Sequence, residues 1–228
     1  MRQGGFTSLL AASVLLVVVW QIPYGNYLLY PLTILATWFH EMGHGLTALA
    51  LGGHFDRLML YSDGSGIASH SGAGWGGVGR ALVAAGGPLG PPVAGAMFIL
   101  ASRSARPART CLILLGIALL GSGLLWVRTL FGIAAVIVLG VAVLALAQGP
   151  PRPAQTFGVE VLGAQACLSS FRQLGYLFTH HVVIAGQPML SDSGQVAENL
   201  FLPYWFWGAA MALAAVVILL LSLRAAAR

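Results

Sequence analysis

Seven apolar stretches, each close to the length that crosses a bilayer as a helix, follow one another along the 228 residues: 8–22, 31–51, 80–102, 110–125, 129–147, 156–179 and 196–223. A helix rises 1.5 Å per residue, so about 20 apolar residues span a hydrocarbon core of ~30 Å. With 58% hydrophobic and 7% charged residues, the chain lacks the polar side chains that a soluble globule needs to cover its surface. The pattern predicts an all-α integral membrane protein. It would be a polytopic bundle of about six to seven transmembrane helices, multi-pass in a cell membrane, with residues 1–228 forming a single membrane domain.

The breaks between the stretches refine this picture. Residues 111–147 form one apolar run interrupted only by Trp126-Val127-Arg128; as one helix it would reach about 55 Å, so a tight hairpin is expected there. The run 9–20 has a signal-like shape, but no small-x-small cleavage site follows, which reads as a retained first helix. All 11 basic residues are arginine. They lie mostly at the ends of apolar runs, which suits topology anchors and contact with anionic lipid and speaks against a nucleic-acid partner. Seven alternating spans place Arg103, Arg106, Arg109, Arg152, Arg224 and Arg228 on one face, with Arg2, Arg57, Arg80 and Arg128 on the other. That weak bias favours a cytoplasmic C-terminus. Cys111 and Cys167 fall inside apolar segments without CxxC spacing, as packing residues do.

Residues 52–78 form the longest polar connection. Within it "LMLYSDGSGIAS" reads as two short extended pieces around an Asp63-Gly64 turn. "GWGGVG", Gly74 to Gly79, matches the dinucleotide pattern in form only, since no apolar strand leads into it, and a hinge is the better reading.

The stretch 31–51 carries "HEMGH" at its centre: His40, Glu41 and His44. Residues i and i+4 share a helix face, so both imidazoles can reach one metal ion, and the donor type suits zinc with positions left for a third ligand and a water. Glu41 stands where a general base would reach that water. An ionisable residue in mid-membrane costs a few kcal/mol on insertion scales, and a bound metal offsets that cost for three at once.

HExxH inside an apolar helix resembles the site-2 protease family of intramembrane zinc metalloproteases. The "ALVAAGGPLGPPVAG" segment, Ala81 to Gly95, is similar to that family's Ala-Gly-Pro-Leu element. So are the glycine pair "LGG" and the β-like segment after the HExxH stretch. The resemblance defines a metalloprotease-like core over residues 31–102, with the remaining helices in 103–228. It implies a third zinc ligand from a later Leu-Asp-Gly motif. The nearest counterpart is Asp192 in "LSDSG", which lacks the preceding Asn-Pro and also stands where a helix N-cap would. Gly90 and Pro91 occupy positions where many members carry asparagine.

On this reading zinc is held by His40, His44 and Asp192, and Glu41 is the catalytic base. Gly87, Pro88, Leu58 and Leu60 are candidate substrate-binding residues, the last two on a segment that could accept an unwound substrate as an added strand. The implied substrate is a transmembrane protein, cleaved in or near its membrane segment. The departures from the family motifs keep a second class open: a non-catalytic membrane protein with a structural metal site or a partner-binding role. Glu160 and the histidines at 54, 70, 180 and 181 read as solvated or structural. Any of those histidines could replace Asp192. Oligomeric state is not legible in the sequence.

Overall fold

The computed structural model describes residues 3–72 and 76–227. Most of them are helical: α1 (Gln3–Gln21), α2 (Gly25–Leu28), α3 (Tyr30–Ala50), α4 (Gly76–Ala101), α5 (Ala105–Leu125), α6 (Leu130–Gln148), α7 (Arg152–Arg172), α8 (Leu174–Leu177), α9 (Asp192–Asn199) and α10 (Tyr204–Ala227). Two antiparallel hairpins complete the chain, β1 (His54–Leu60) with β2 (Gly66–Ser71), and β3 (His181–Ile184) with β4 (Gln187–Leu190). Four helices are long and apolar enough to cross a membrane: α4, α5, α6 and α10. Their outer faces keep residues such as Leu114, Val138 and Leu213 exposed, as lipid-facing helices do.

The apolar run 111–147 does fold as a hairpin, α5 and α6 joined at Trp126–Thr129, where the Thr129 hydroxyl caps α6 by accepting the Gly132 N–H. The stretch 196–223 does not form one helix. It divides at 200–203 into α9 and α10, where Pro203 offers no N–H and holds the preceding residue out of helical geometry.

Simple up-and-down alternation also fails at the N-terminus. Ser8 donates to Glu160 at 2.9 Å, and Arg172 stacks over Trp20 at 4.1 Å, so α1 runs parallel to α7. His40 meets Gln173 and Leu32 packs among residues around Ala164, so α3 runs in the same direction. The chain doubles back through α2, with Tyr24 in the left-handed region at φ 66. The described start of α1 therefore lies at the same end of the bundle as the start of α7, where alternating spans would put it at the opposite end, and Arg2 falls outside the described residues.

α4 is the central helix, packed against α3, α7, α9 and α10. It contains Pro88, Pro91 and Pro92, tolerable where neighbouring helices cover the opened backbone. Glycines set its distance from α3. A Cβ on Gly43 would collide with the backbone carbonyl of Gly86, and one on Gly90 with that of Phe39. Small residues at such a crossing let helix backbones approach closely.

The β1–β2 hairpin folds back along α3. Phe55 fills the space beside Gly45 and stacks on Trp126 with ring centres 4.8 Å apart. Its tip is held by Tyr30, which donates to the Ser62 carbonyl at 2.7 Å, and by Thr37, which donates to the Gly64 carbonyl at 2.6 Å. The Asp63-Gly64 turn forms, with Gly64 at φ 91. Hydrogen bonds from the Ser65 hydroxyl and N–H hold the Asp63 carboxyl below the usual carboxylate range. The GWGGVG motif lies partly outside the described residues, and its second half opens α4.

Candidate metal centre

Near the middle of α3, His40, Glu41 and His44 are all buried. α9 brings Asp192, 2% exposed, against them from a segment about 150 residues later. His40 Nε2 lies 3.0 Å from Asp192 Oδ2, His44 Nε2 lies 3.3 Å from Asp192 Oδ1, and the two Nε2 atoms are 3.3 Å apart. Asp192 does not cap α9. Ser191 takes that place, its hydroxyl accepting the Gly194 N–H at 3.1 Å, which leaves the Asp192 carboxylate turned to the histidines.

Hydrogen bonds on the far side of each ring decide what faces inward. His44 Nδ1 lies 2.8 Å from the Val83 carbonyl, which can only accept, so this nitrogen carries the proton and Nε2 presents a lone pair. His40 Nδ1 donates in the same way to Gln173 Oε1 at 3.2 Å. Two bare imidazole nitrogens and a carboxylate thus converge on one point, and Asp192 Oδ2 has no hydrogen-bond donor. A cation satisfies all three lone pairs at once. With bonds near 2.0–2.1 Å, a tetrahedral zinc holds its ligand atoms about 3.3 Å apart, close to the separations found here. The donor set fits zinc.

Two residues that sequence reasoning did not single out as site residues support this set. Gln173 orients His40, and the Tyr176 hydroxyl accepts the Asp192 N–H at 3.2 Å while its ring lies edge-on to His40. Both come from the α7–α8 junction, and their signal in sequence was a glutamine and a tyrosine three residues apart at the end of an apolar span.

Glu41 is buried beside the candidate ligands and is approached by β2, whose Ala68 N–H bonds its carboxylate. Gly66 permits that approach, since a Cβ there would come within 2.8 Å of Glu41 Cγ and of Thr37 Cγ2. Gly87 has a similar role on the other wall: a Cβ at that position would collide with His44 Nε2, the nitrogen that faces Asp192. Pro88 follows it, buried, in α4. Leu58 and Leu60 are fully buried in the core. The outer backbone groups of Leu58 pair with the Trp126 carbonyl and the Arg128 N–H at 2.8 and 3.0 Å, and those of Leu60 with the Thr129 hydroxyl.

The other titratable residues separate. His70, on β2, has its ring 6.4 Å from that of His44, and burial holds its pKa below the usual imidazole value. His180 and His181 pack on each other, His180 also against Tyr204, and neither belongs to the cluster. Glu160, 2% exposed, accepts from Ser8. Among the described residues the metal-competent group is His40, His44 and Asp192 alone.

The sequence profile of the Peptidase M50B-like family matches residues 9–222, nearly the whole chain. No curated protein and no solved structure matches it. An HExxH helix, a distant aspartate closing a buried three-ligand set and a family match across both together lead to one conclusion: the chain belongs to the Peptidase M50B-like family, as a multi-pass membrane protein with a candidate zinc site.

Proposed function

We propose that this protein is an intramembrane zinc metalloprotease that hydrolyses a peptide bond in or near the transmembrane segment of another membrane protein. The observation that carries the reading is the convergence of His40 Nε2, His44 Nε2 and Asp192 on one point, with the Glu41 carboxylate buried beside it. His40, His44 and Asp192 would hold the ion. When bound there, zinc supplies Lewis acidity and lowers the pKa of a coordinated water towards 7.

The chain's own residues do the rest. Glu41 takes the proton of the attacking water and delivers it to the departing amine. Its place one residue after His40 would set it beside a bound ion without making it one of the residues that hold it. Gly87 and Pro88 form a wall of the cleft, and the missing side chain at 87 leaves room for substrate backbone beside His44.

The strand that receives the unwound substrate is β2 rather than β1. Leu58 and Ala68 are paired, and Leu58 turns its backbone groups outward to Trp126 and Arg128, so Ala68 turns its own to the opposite edge. Gly66, opposite Leu60, does the same. That edge faces Glu41, and main-chain pairing there would present a scissile carbonyl to the metal. Leu58 and Leu60 then act from within the core by fixing the hairpin. α1, α3 and α7 complete a bundle of seven membrane helices, in a cell membrane.

The test uses purified wild type and Glu41→Gln in detergent or nanodiscs, with bound zinc and cleavage of single-span reporter proteins both measured. Stoichiometric zinc in both, with cleavage reduced ~10²–10⁴-fold in the variant, supports the proposal. Zinc-loaded wild type that cleaves no membrane reporter would favour a structural metal site.

A further inference from the structure

At the end of the bundle away from the metal centre, the ends of α5, α6 and α7 border a half-open cavity of about 200 Å³ lined by Ala105, Arg106, Arg109, Gln148, Arg152 and Gln155. We propose that it binds the headgroup of an anionic phospholipid that carries hydroxyls, of the phosphatidylglycerol type.

Charge is the first argument. Three arginines line one small cavity, and no aspartate or glutamate does. Among the described residues, the ion pairs are those of Asp192 with the two histidines, so the three arginines have no acidic partner. Two helix N-termini add to the field: α5 begins at Ala105 and α7 at Arg152, and neither has a side-chain cap on its first N–H groups. At the opposing negative pole, the end of α6, the Ala147 carbonyl accepts from Arg109 Nε at 3.1 Å and from Gln155 Nε2 at 3.0 Å. The Arg109 bond fixes the stem of that guanidinium and leaves its terminal nitrogens for a ligand. Bidentate guanidinium contacts match phosphate oxygens.

Gln155 supplies the second, independent observation. It is 5% exposed, both of its amide donations go to backbone carbonyls, of Ala147 and Pro150, and its Oε1 has no hydrogen-bond donor. Gln155 lines the cavity together with the three arginines, and an unpaired acceptor on a cavity-lining side chain favours a ligand that brings a hydroxyl as well as a phosphate. A glycerol headgroup brings both.

Location commits the ligand to lipid. The same helices present Leu114, Val141 and Phe157 on their outer surface, where acyl chains would lie below a headgroup held at the helix ends. Basic pockets between membrane helices are suited to such headgroups. α7 links this cavity to the metal centre, from Arg152 to Gln173 beside His40, about 30 Å along the helix. A lipid here anchors the end of the helix whose other end orients a metal ligand.

The experiment uses full-length protein in nanodiscs of phosphatidylcholine alone or with phosphatidylglycerol, and counts retained lipid by native mass spectrometry after release into detergent. Wild type should retain phosphatidylglycerol at least ten-fold over phosphatidylcholine. The Arg106→Gln/Arg152→Gln double variant, which breaks no intramolecular hydrogen bond, should lose that enrichment, and Arg57→Gln, on β1, should keep it. If the double variant fails to fold, wild type is challenged with millimolar inorganic phosphate. Failure of phosphate to displace the lipid supports recognition of the whole headgroup. Equal retention of the two lipids by wild type, undiminished enrichment in the double variant, or displacement by inorganic phosphate overturns the proposal.

Discussion

His44 Nδ1 donates to the backbone carbonyl of Val83 at 2.8 Å, across the interface between α3 and α4. This contact fixes the tautomer of one candidate metal ligand through main chain, so no side-chain substitution at 83 removes it. His40 differs, because its orienting acceptor is the side chain of Gln173. Gln173→Leu is therefore expected to weaken zinc affinity 10–100-fold, the usual range for a lost orienting partner, while Val83→Ala leaves it nearly unchanged. Competition with a fluorescent chelator measures both.

Asp192 and Ser191 are neighbours with separable roles. Asp192→Ala should abolish stoichiometric zinc binding, because it removes one of three ligands. Ser191→Ala removes the cap of α9 and should cost about 1 kcal/mol of stability with zinc still bound. Metal analysis combined with thermal unfolding distinguishes them, and zinc retained at full stoichiometry in Asp192→Ala would eliminate Asp192 as the third ligand.

Gly87 and Gly43 test the α3–α4 contact. A methyl group at 87 meets the His44 imidazole, so Gly87→Ala should displace the ring and lose metal while helical content measured by circular dichroism is kept. A side chain at 43 meets the Gly86 backbone instead. Gly43→Val should therefore lower stability by the ~1–3 kcal/mol typical of overpacking, with aggregation in detergent the visible result.

Ala68→Pro probes the outer edge of β2. Proline removes an N–H that bonds Glu41 rather than β1, so the hairpin should persist while cleavage of an unwound substrate falls at least ten-fold. Leu58→Ala acts differently: it opens a core cavity and should destabilise the protein by ~2–5 kcal/mol. Equal cleavage by Ala68→Pro and wild type would exclude this edge as the substrate strand.

Metal removal links the site to stability. Ligand binding to the folded state adds about 2.7 kcal/mol at a concentration 100 times Kd, so chelation should lower the unfolding temperature of wild type and of Glu41→Gln alike. His40→Ala, lacking a ligand, should unfold at one temperature with or without chelator.

Much of the molecule was legible in one dimension because its constraints are local. Apolar runs of fixed length follow from bilayer thickness, the turn at 126–129 from the impossibility of a 55 Å span, and HExxH from the pitch of one helix. The parallel course of α1 and the break between α9 and α10 were not legible, since each depends on which surfaces pack together. The same division runs through the metal centre. His40, Glu41 and His44 share a helix face by spacing alone, whereas the cap reading of Asp192 fell only when Ser191 took the cap and the carboxylate turned to the histidines. Gln173 and Tyr176 gained meaning only when α7 and α8 were set against α3. Short-range periodicity is written in sequence; which carbonyl, amide or carboxylate completes a site from 40 or 150 residues away is decided by helix packing.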